Sequence, residues 1–381
     1  MNSLSHLNAY QASGVDYSIL DSVKREAMAR AAATRHLLEQ HGGREVAESR
    51  GATAYVFELG EQTLAIVIEG LGTKGLIAEE WLKKTGESRF RDVAIDAVAA
   101  IANDVISVGA NPVVICAYFA TGSAKWYEDE RRASDLLAGW QEACEACGAT
   151  WGGGESPALP GLVYADQVEL AGSAIGIVPK GRRPVFGDMT APGDRIVLVR
   201  SSGLQTNGAS LARQIASRLP DGLLTPLPSG RRFGDALLDP SMLYPRFVRA
   251  LLASPIEPSF LNPITGHGLM KLMRSGIDVH YVIQSVPPVP EALQFMADKS
   301  GMDMASAYAT LNMGIGYVAI VRERDANETI RIAAAEGYQA IDAGYVEQGA
   351  RRLSVPALGI EYSTEDFSMK PSEEVRSGSE P

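Results

Sequence analysis

The chain has few cysteines, no long apolar run and a shortage of basic residues. Of its 381 residues, three are cysteine: Cys116, Cys144 and Cys147. Three thiols cannot build a disulfide framework, and a chain of this length has core enough without one. Cys144 and Cys147 form a C-x-x-C, a redox or zinc signature, but a zinc site needs a second ligand pair, and none is spaced for it. Trp140, Cys144 and Cys147 share one stripe of "DLLAGWQEACEACGA", which predicts packing inside a helix. No stretch is long and apolar enough to span a bilayer, so no membrane segment is expected. The opening "MNSLSHLNAY" lacks the apolar centre of a secretory leader, and with so few cysteines this fits a reducing cytoplasm. Lys and Arg number 35 against 46 Asp and Glu, a net charge of -11. That argues against a nucleic-acid partner, but local glycine loops and a few cations can still serve anionic small molecules.

What is present is an ordinary globular balance, 46% hydrophobic and 21% charged, long enough for two domains. Strands are predicted over 53–59, 63–70, 112–120 and 167–179. Helices are predicted over 17–41, 75–84, 90–110 and 127–147. A Pro/Gly-rich break, "PKGRRPVFGDMTAPGD" (179–194), suggests a boundary, giving an N-terminal domain over 1–180 and a C-terminal one over 181–355. The pattern restarts with strand 195–200, helices 208–218 and 241–252, strand 258–262, helix 268–275 and strand 278–284. Strand 315–321, helix 324–336 and strand 339–345 follow. The fold class is therefore α/β plus α+β in two domains. Residues 356–381 are polar and acidic and are expected to form a disordered tail.

Three stretches could carry chemistry. In "LAIVIEGLGTKGLIAEE" (64–80) a buried strand ends at Glu69 and delivers Gly70, Gly72, Thr73 and Lys74. Glycines admit an anion to the backbone, lysine and threonine can bind phosphate, and a carboxylate suits a bridging divalent metal. The Walker spacing is absent, and a plain strand, glycine turn and surface lysine would read the same way. In helix 90–110, Asp96 and Asn103 lie seven residues apart and point the same way, with Asp104 beside them. Carboxylates on so apolar a helix need a partner: a metal or nucleotide, or else a cap or salt bridge. In "TWGGGESPALPG" (150–161), Gly153, Gly154 and Glu155 end a strand, and Glu155 could join Glu69 and Asp104 on one metal.

The second half repeats the device. "SSGLQTNGAS" (201–210) and "NPITGHGLMKLMR" (262–274) put polar and glycine residues before helices, a setting for anions or an ordinary cap. His267 could bind phosphate or move a proton. "TLNMGIGYV" (310–318) reads as a bulge or tight turn.

In order, "YQASGVDY", "EGLGTK", "IDAVAAIANDVISVGANPVVICAYFATG", "GGGESPALPG", "VELAGSAIGIV", "SSGLQTNGAS", "LLDPSMLY", "ITGHG" and "LNMGIGYV" resemble the aminoimidazole ribonucleotide synthetase superfamily over about residues 9–350. The resemblance implies a homodimer built partly on N-terminal strands, with ATP and Mg²⁺ bound between the domains. It implies a cyclo-ligase that phosphorylates an amide oxygen of a phosphorylated substrate, formylglycinamidine ribonucleotide, and then closes the imidazole ring. By position it implies Glu69, Asp104 and Glu155 as metal ligands. It implies Gly70, Gly72, Thr73, Lys74, Asn103, Thr121, Gly122, Gly153 and Gly154 at the nucleotide. It implies Ser202, Gly203, Asn207, Gly208, Thr265, Gly266 and Gly268 at the substrate, and Lys74, Asp104 and His267 in catalysis. The chain departs from the pattern in four places: Glu69 stands for the usual aspartate, Gln205 for a histidine and His267 for a glycine, and "GGREVAESRGATAYVFEL" replaces a glycine-rich N-terminal segment. A small-molecule kinase of the same superfamily, or a nucleotide-binding paralogue without turnover, is the alternative.

Overall fold

The protein is described here by a computed structural model covering residues 17–366. Most of "YQASGVDY" and the last fifteen residues of the expected tail lie outside the described residues.

The first half is a six-stranded sheet with helices on one face. Helix α1 (Tyr17–Ala33) precedes strands β1 (Gly43–Glu45), β2 (Tyr55–Leu59) and β3 (Gln62–Gly70). Then come α2 (Lys74–Thr85), α3 (Phe90–Val105), β4 (Asn111–Thr121), α4 (Glu130–Cys147), β5 (Thr150–Glu155) and β6 (Val168–Ile177). The strand order is β1-β2-β3-β6-β4-β5, antiparallel except for β4 beside β5. Helix α3 packs on α4 and on β3 and β6. Its interior is nearly all Ala, Val and Ile, and Gly109 ends the following 3₁₀ turn at φ 74°, a left-handed position that costs glycine little. Helix α4 is capped by the Asp129 side chain, which accepts from Arg132 N at 3.1 Å. Trp140, Cys144 and Cys147 on it are buried and the cysteines unpaired, so the C-x-x-C is core packing.

Period two decides which face of β3 is covered. Ala65 and Val67 face the helices, while Ile66 and Ile68 point the other way and are 41% and 78% exposed. Ile175, Val113 and Tyr118 are also exposed, so the uncovered sheet face is apolar.

The second half holds β7 (Arg195–Arg200), α5 (Ala209–Ala216), α6 (Pro245–Ala253), β8 (Phe260–Pro263) and β9 (Val279–Ile283). They are followed by α7 (Glu291–Ser300), α8 (Met304–Thr310), β10 (Ile315–Val321), α9 (Ala326–Ala335), β11 (Ala340–Gln348), β12 (Arg352–Val355) and β13 (Ile360–Ser363). Its sheet runs β13-β12-β9-β11-β7-β10-β8, with β12 parallel to β9. The two sheets leave 178–194 between them, the segment where the Pro/Gly break suggests a boundary.

Three expectations change. The start of the expected tail is folded: Ile360 and Tyr362 alternate into the core of β13, and the Tyr362 hydroxyl donates to Ala305 O at 2.6 Å. The helix expected over 268–275 is a 3₁₀ helix, Gly268–Ser275. The helix expected from 241 begins at Pro245, because the backbone and side chain of Ser241 and the backbone of Tyr244 are engaged by the first half.

Candidate active-site cleft

A cleft of about 480 Å³ lies between the two halves. From the first half it is lined by Thr53, Glu69, Gly70 and, one turn apart on α3, Ala100 and Asp104. From the second come Thr206, Asn207, Thr265, Gly266, His267, Lys271 and Arg274. Glu69 reaches it because it continues the inward series Ala65, Val67 to the end of the strand, on the face that α3 covers, where it meets Asp104 of that helix. The two carboxylates thus come together from separate elements, as the sequence suggested. Burial and Asp104 raise the Glu69 carboxyl to about 7. Burial also pushes Asp104 up. Two neighbouring acids in a sheltered site hold a proton between them unless a cation joins them. That donor set fits Mg²⁺, which takes one or two carboxylates and completes its shell with phosphates and water.

Glu155 does not join them. Glu69, Gly172, Ala117 and Gly154 are successive cross-strand partners. Glu155 therefore stands three strands away, about 14 Å at the usual spacing, and is exposed. Among the described residues no three His, Cys, Asp or Glu side chains gather as a metal cluster. Gly153 and Gly154 are on the same remote edge; a Cβ on Gly154 would lie 1.9 Å from Ala117 O.

Lys74 has a different place from the one its motif suggests. It is the first residue of α2 and points inward, fully buried. Its Nζ lies 2.7 Å from Asp96 Oδ2 and donates to Gln205 O at 2.9 Å. Asp96 Oδ1 in turn accepts from Ser241 N at 2.9 Å. Asn103, on the same face of α3, donates to Met242 O and accepts from Tyr244 N, both at 2.9 Å. Asp96 and Asn103 do point the same way, but they meet Lys74 and the 241–244 segment of the second domain.

Several other candidates shape loops rather than line the cleft. Thr121 is fully buried and its backbone pairs with Pro157 and Leu159. A Cβ on Gly122 would lie 2.0 Å from Tyr164 O. Thr73 Oγ1 is 2.8 Å from Ser210 Oγ, and Gly72 turns the chain at φ 69°. Ser202 donates to Pro240 O at 2.7 Å, and Gly203 O accepts from Asn312 at 2.9 Å. Gly208 caps α5 at φ 103°, packed by Leu311 and Leu204, while Gly268 abuts Tyr308 O. Gln205 is buried, donating to the Tyr244 hydroxyl at 3.0 Å, and is not among the residues lining this cleft. Gln205 and His267 both adopt positive φ, 56° and 70°. His267 thus holds a left-handed conformation that glycine adopts at little cost, while bringing an imidazole to the cleft wall.

Lys271 and Arg274 escaped the sequence reading. Lys271 is 5% exposed and bonds to the Thr265 hydroxyl. Burial lowers its ammonium to about 8, against the pull of Asp104. Arg274 donates to Gly51 O at 2.9 Å. The signal was "GHGLMKLMR" itself, whose two cations look like the solvent side of an amphipathic helix until the loop folds them inward.

The chain matches the sequence profiles of the AIR synthase related protein N-terminal domain over residues 51–178 and C-terminal domain over 191–355. It is 31% identical to a phosphoribosylformylglycinamidine cyclo-ligase of Methanococcus maripaludis over 358 residues, 92% of this chain and 98% of that protein. A protein of the same name from Thermococcus gammatolerans is 32% identical over 288 residues, 76% of this chain and 80% of its own. The crystal structure of hydrogenase maturation protein HypE in complex with ATP superposes with a TM-score of 0.57 at 18% identity, covering 78% of this chain and 83% of that one, a likeness of fold. Both domain profiles in order, and identity along nearly the whole of a relative, mean that the chain belongs to the AIR synthase related family.

Proposed function

We propose that this protein is an ATP-dependent cyclo-ligase that converts formylglycinamidine ribonucleotide to aminoimidazole ribonucleotide, releasing ADP and phosphate in purine biosynthesis. The observation that carries the reading is the 31% identity over 98% of a protein named for that reaction. The cleft agrees in kind, with two carboxylates, two cations and small polar loops in one sheltered space.

The chemical problem is the amide oxygen, a poor leaving group. The terminal phosphoryl group of ATP passes to that oxygen and ADP departs. A nitrogen of the same substrate then forms a C–N bond to the activated carbon. The C–O bond breaks, phosphate leaves, and the nitrogen gives up its proton. The protein's part is positioning and charge neutralisation. Glu69 and Asp104 would hold Mg²⁺, whose charge offsets that of the phosphates. Asn207, Thr265 and Gly266 present side-chain and backbone groups to the substrate, and Gly70 leaves room for the nucleotide beside them. His267 stands at the wall, where an imidazole can take the ring-closing proton.

The protein is further proposed to work as a homodimer in the cytoplasm. The exposed apolar face around Ile66, Ile68 and Ile175 supports the dimer, since so large a bare sheet face is costly in water.

Purified protein given ATP, Mg²⁺ and formylglycinamidine ribonucleotide should yield ADP, phosphate and aminoimidazole ribonucleotide in equal amounts. It should also rescue a purine auxotroph lacking the cyclo-ligase. ATP binding without turnover would instead identify a regulatory paralogue, and turnover of another acceptor a kinase.

A further inference from the structure

Some sheltered basic side chains, such as Arg182, meet only backbone carbonyls, but Lys74, Arg50 and Arg132 each meet a carboxylate, Asp96, Glu45 and Glu79 in turn. Lys271 and Arg274 do not. Among the described residues no carboxylate oxygen lies within 4.0 Å of either. Lys271 is 95% covered by protein and uses one donor, on the neutral Thr265 hydroxyl. Arg274 donates to a neutral carbonyl. An ammonium has three donors and a guanidinium five, so most of their donors are unused. Both side chains line the cleft. Asp104 and Glu69 pull on both cations across the cleft without bonding to them, and with those carboxylates on a metal ion the unused donors of Lys271 and Arg274 are complementary to an anion.

We propose that Lys271 and Arg274 hold a phosphate oxyanion in this cleft, the pair of cations acting with the hydroxyl of Thr265. The inference deepens the function above and rests on its choice of cleft. The phosphate comes either from the nucleotide or from the phosphate ester of the substrate. Guanidinium and ammonium groups bind both through the same charge-assisted hydrogen bonds.

The test is calorimetric titration of the full chain, in Mg²⁺, with two probes: ATP and ribose 5-phosphate. Lys271→Met and Arg274→Met should weaken one probe by about tenfold to a hundredfold, the usual worth of hydrogen bonds to charged groups. Circular dichroism and melting temperature should stay those of the wild type. Loss confined to ATP assigns the pair to the nucleotide; loss confined to ribose 5-phosphate assigns it to the substrate; either supports the inference. Wild-type affinity for both probes in the folded variants overturns it, as does failure of the wild type to bind either probe. If the methionine variants do not fold, Lys271→Arg decides. Keeping the charge, it should bind within about threefold of wild type, and a loss as deep as that expected of Lys271→Met overturns the inference. A wild-type protein that binds phosphate through these residues yet turns nothing over would count against the proposed reaction alone.

Discussion

Lys74 and Asp96 form an ion pair with both side chains fully buried, 2.7 Å apart, at the seam between the two domains. The lysine holds the carbonyl of Gln205, immediately before the cleft residues Thr206 and Asn207. Removing one partner strands a charge in the interior, at a cost of about 3–5 kcal/mol. Lys74→Met should therefore lower the free energy of unfolding by that amount in a denaturant titration. Lys74→Met with Asp96→Leu should recover part of it. A lysine serving as a phosphate contact would instead lose activity at unchanged stability.

Asp104 makes the opposite prediction. It crowds Glu69 in the cleft, so Asp104→Asn relieves like-charge repulsion in the metal-free protein. The melting temperature should hold or rise, while ADP release in the cyclo-ligase assay falls by at least about a hundredfold. Full activity in this variant would remove Asp104 from the site.

The Cys144 thiol is pushed by burial from its ordinary value of 9.0 to about 12. The folded protein thus keeps a proton that the unfolded chain has lost. Its contribution to stability is whole below pH 9 and declines as the pH rises from about 9 towards 12. Thermal melts across that range should show a falling midpoint, and the fall should be shallower in Cys144→Ala. Alkylation by iodoacetamide at pH 8 should be much slower in the native protein than in the unfolded one.

Ile68 is 78% exposed at the end of the apolar run of β3. Ile68→Asp should halve the mass seen by light scattering if this face joins two copies. An unchanged mass would place the dimer contact elsewhere.

Much of the fold was legible. Strand β3 announced itself by five apolar residues from Leu64 to Ile68, and α3 by its run of Ala, Val and Ile. The tail was misjudged because Ile360 and Tyr362 are two apolar residues among polar ones, and β12 supplies the partner that makes them a strand. Within the site, Glu69 and Asp104 were readable because a carboxylate in an apolar setting demands a partner. Lys74 was not, because a glycine turn followed by lysine has the same letters whether the ammonium swings out to a phosphate or in to Asp96. Glu155 shows a further limit: a glycine loop before an acid fixes a strand end, but not which edge of the sheet the strand takes. Lys271 and Arg274 depend on a 3₁₀ turn that period 3.6 misreads as a surface helix.

The contacts made by Lys74, Asp96 and Asn103 also bear on traffic through the cleft. Swinging the halves apart about the 178–194 connection would pull the Lys74 ammonium, still paired with Asp96, off Gln205 and strip Ser241 and Tyr244 from α3. These ties oppose a wide opening of the halves around the cleft, at whose wall His267 holds a left-handed backbone conformation.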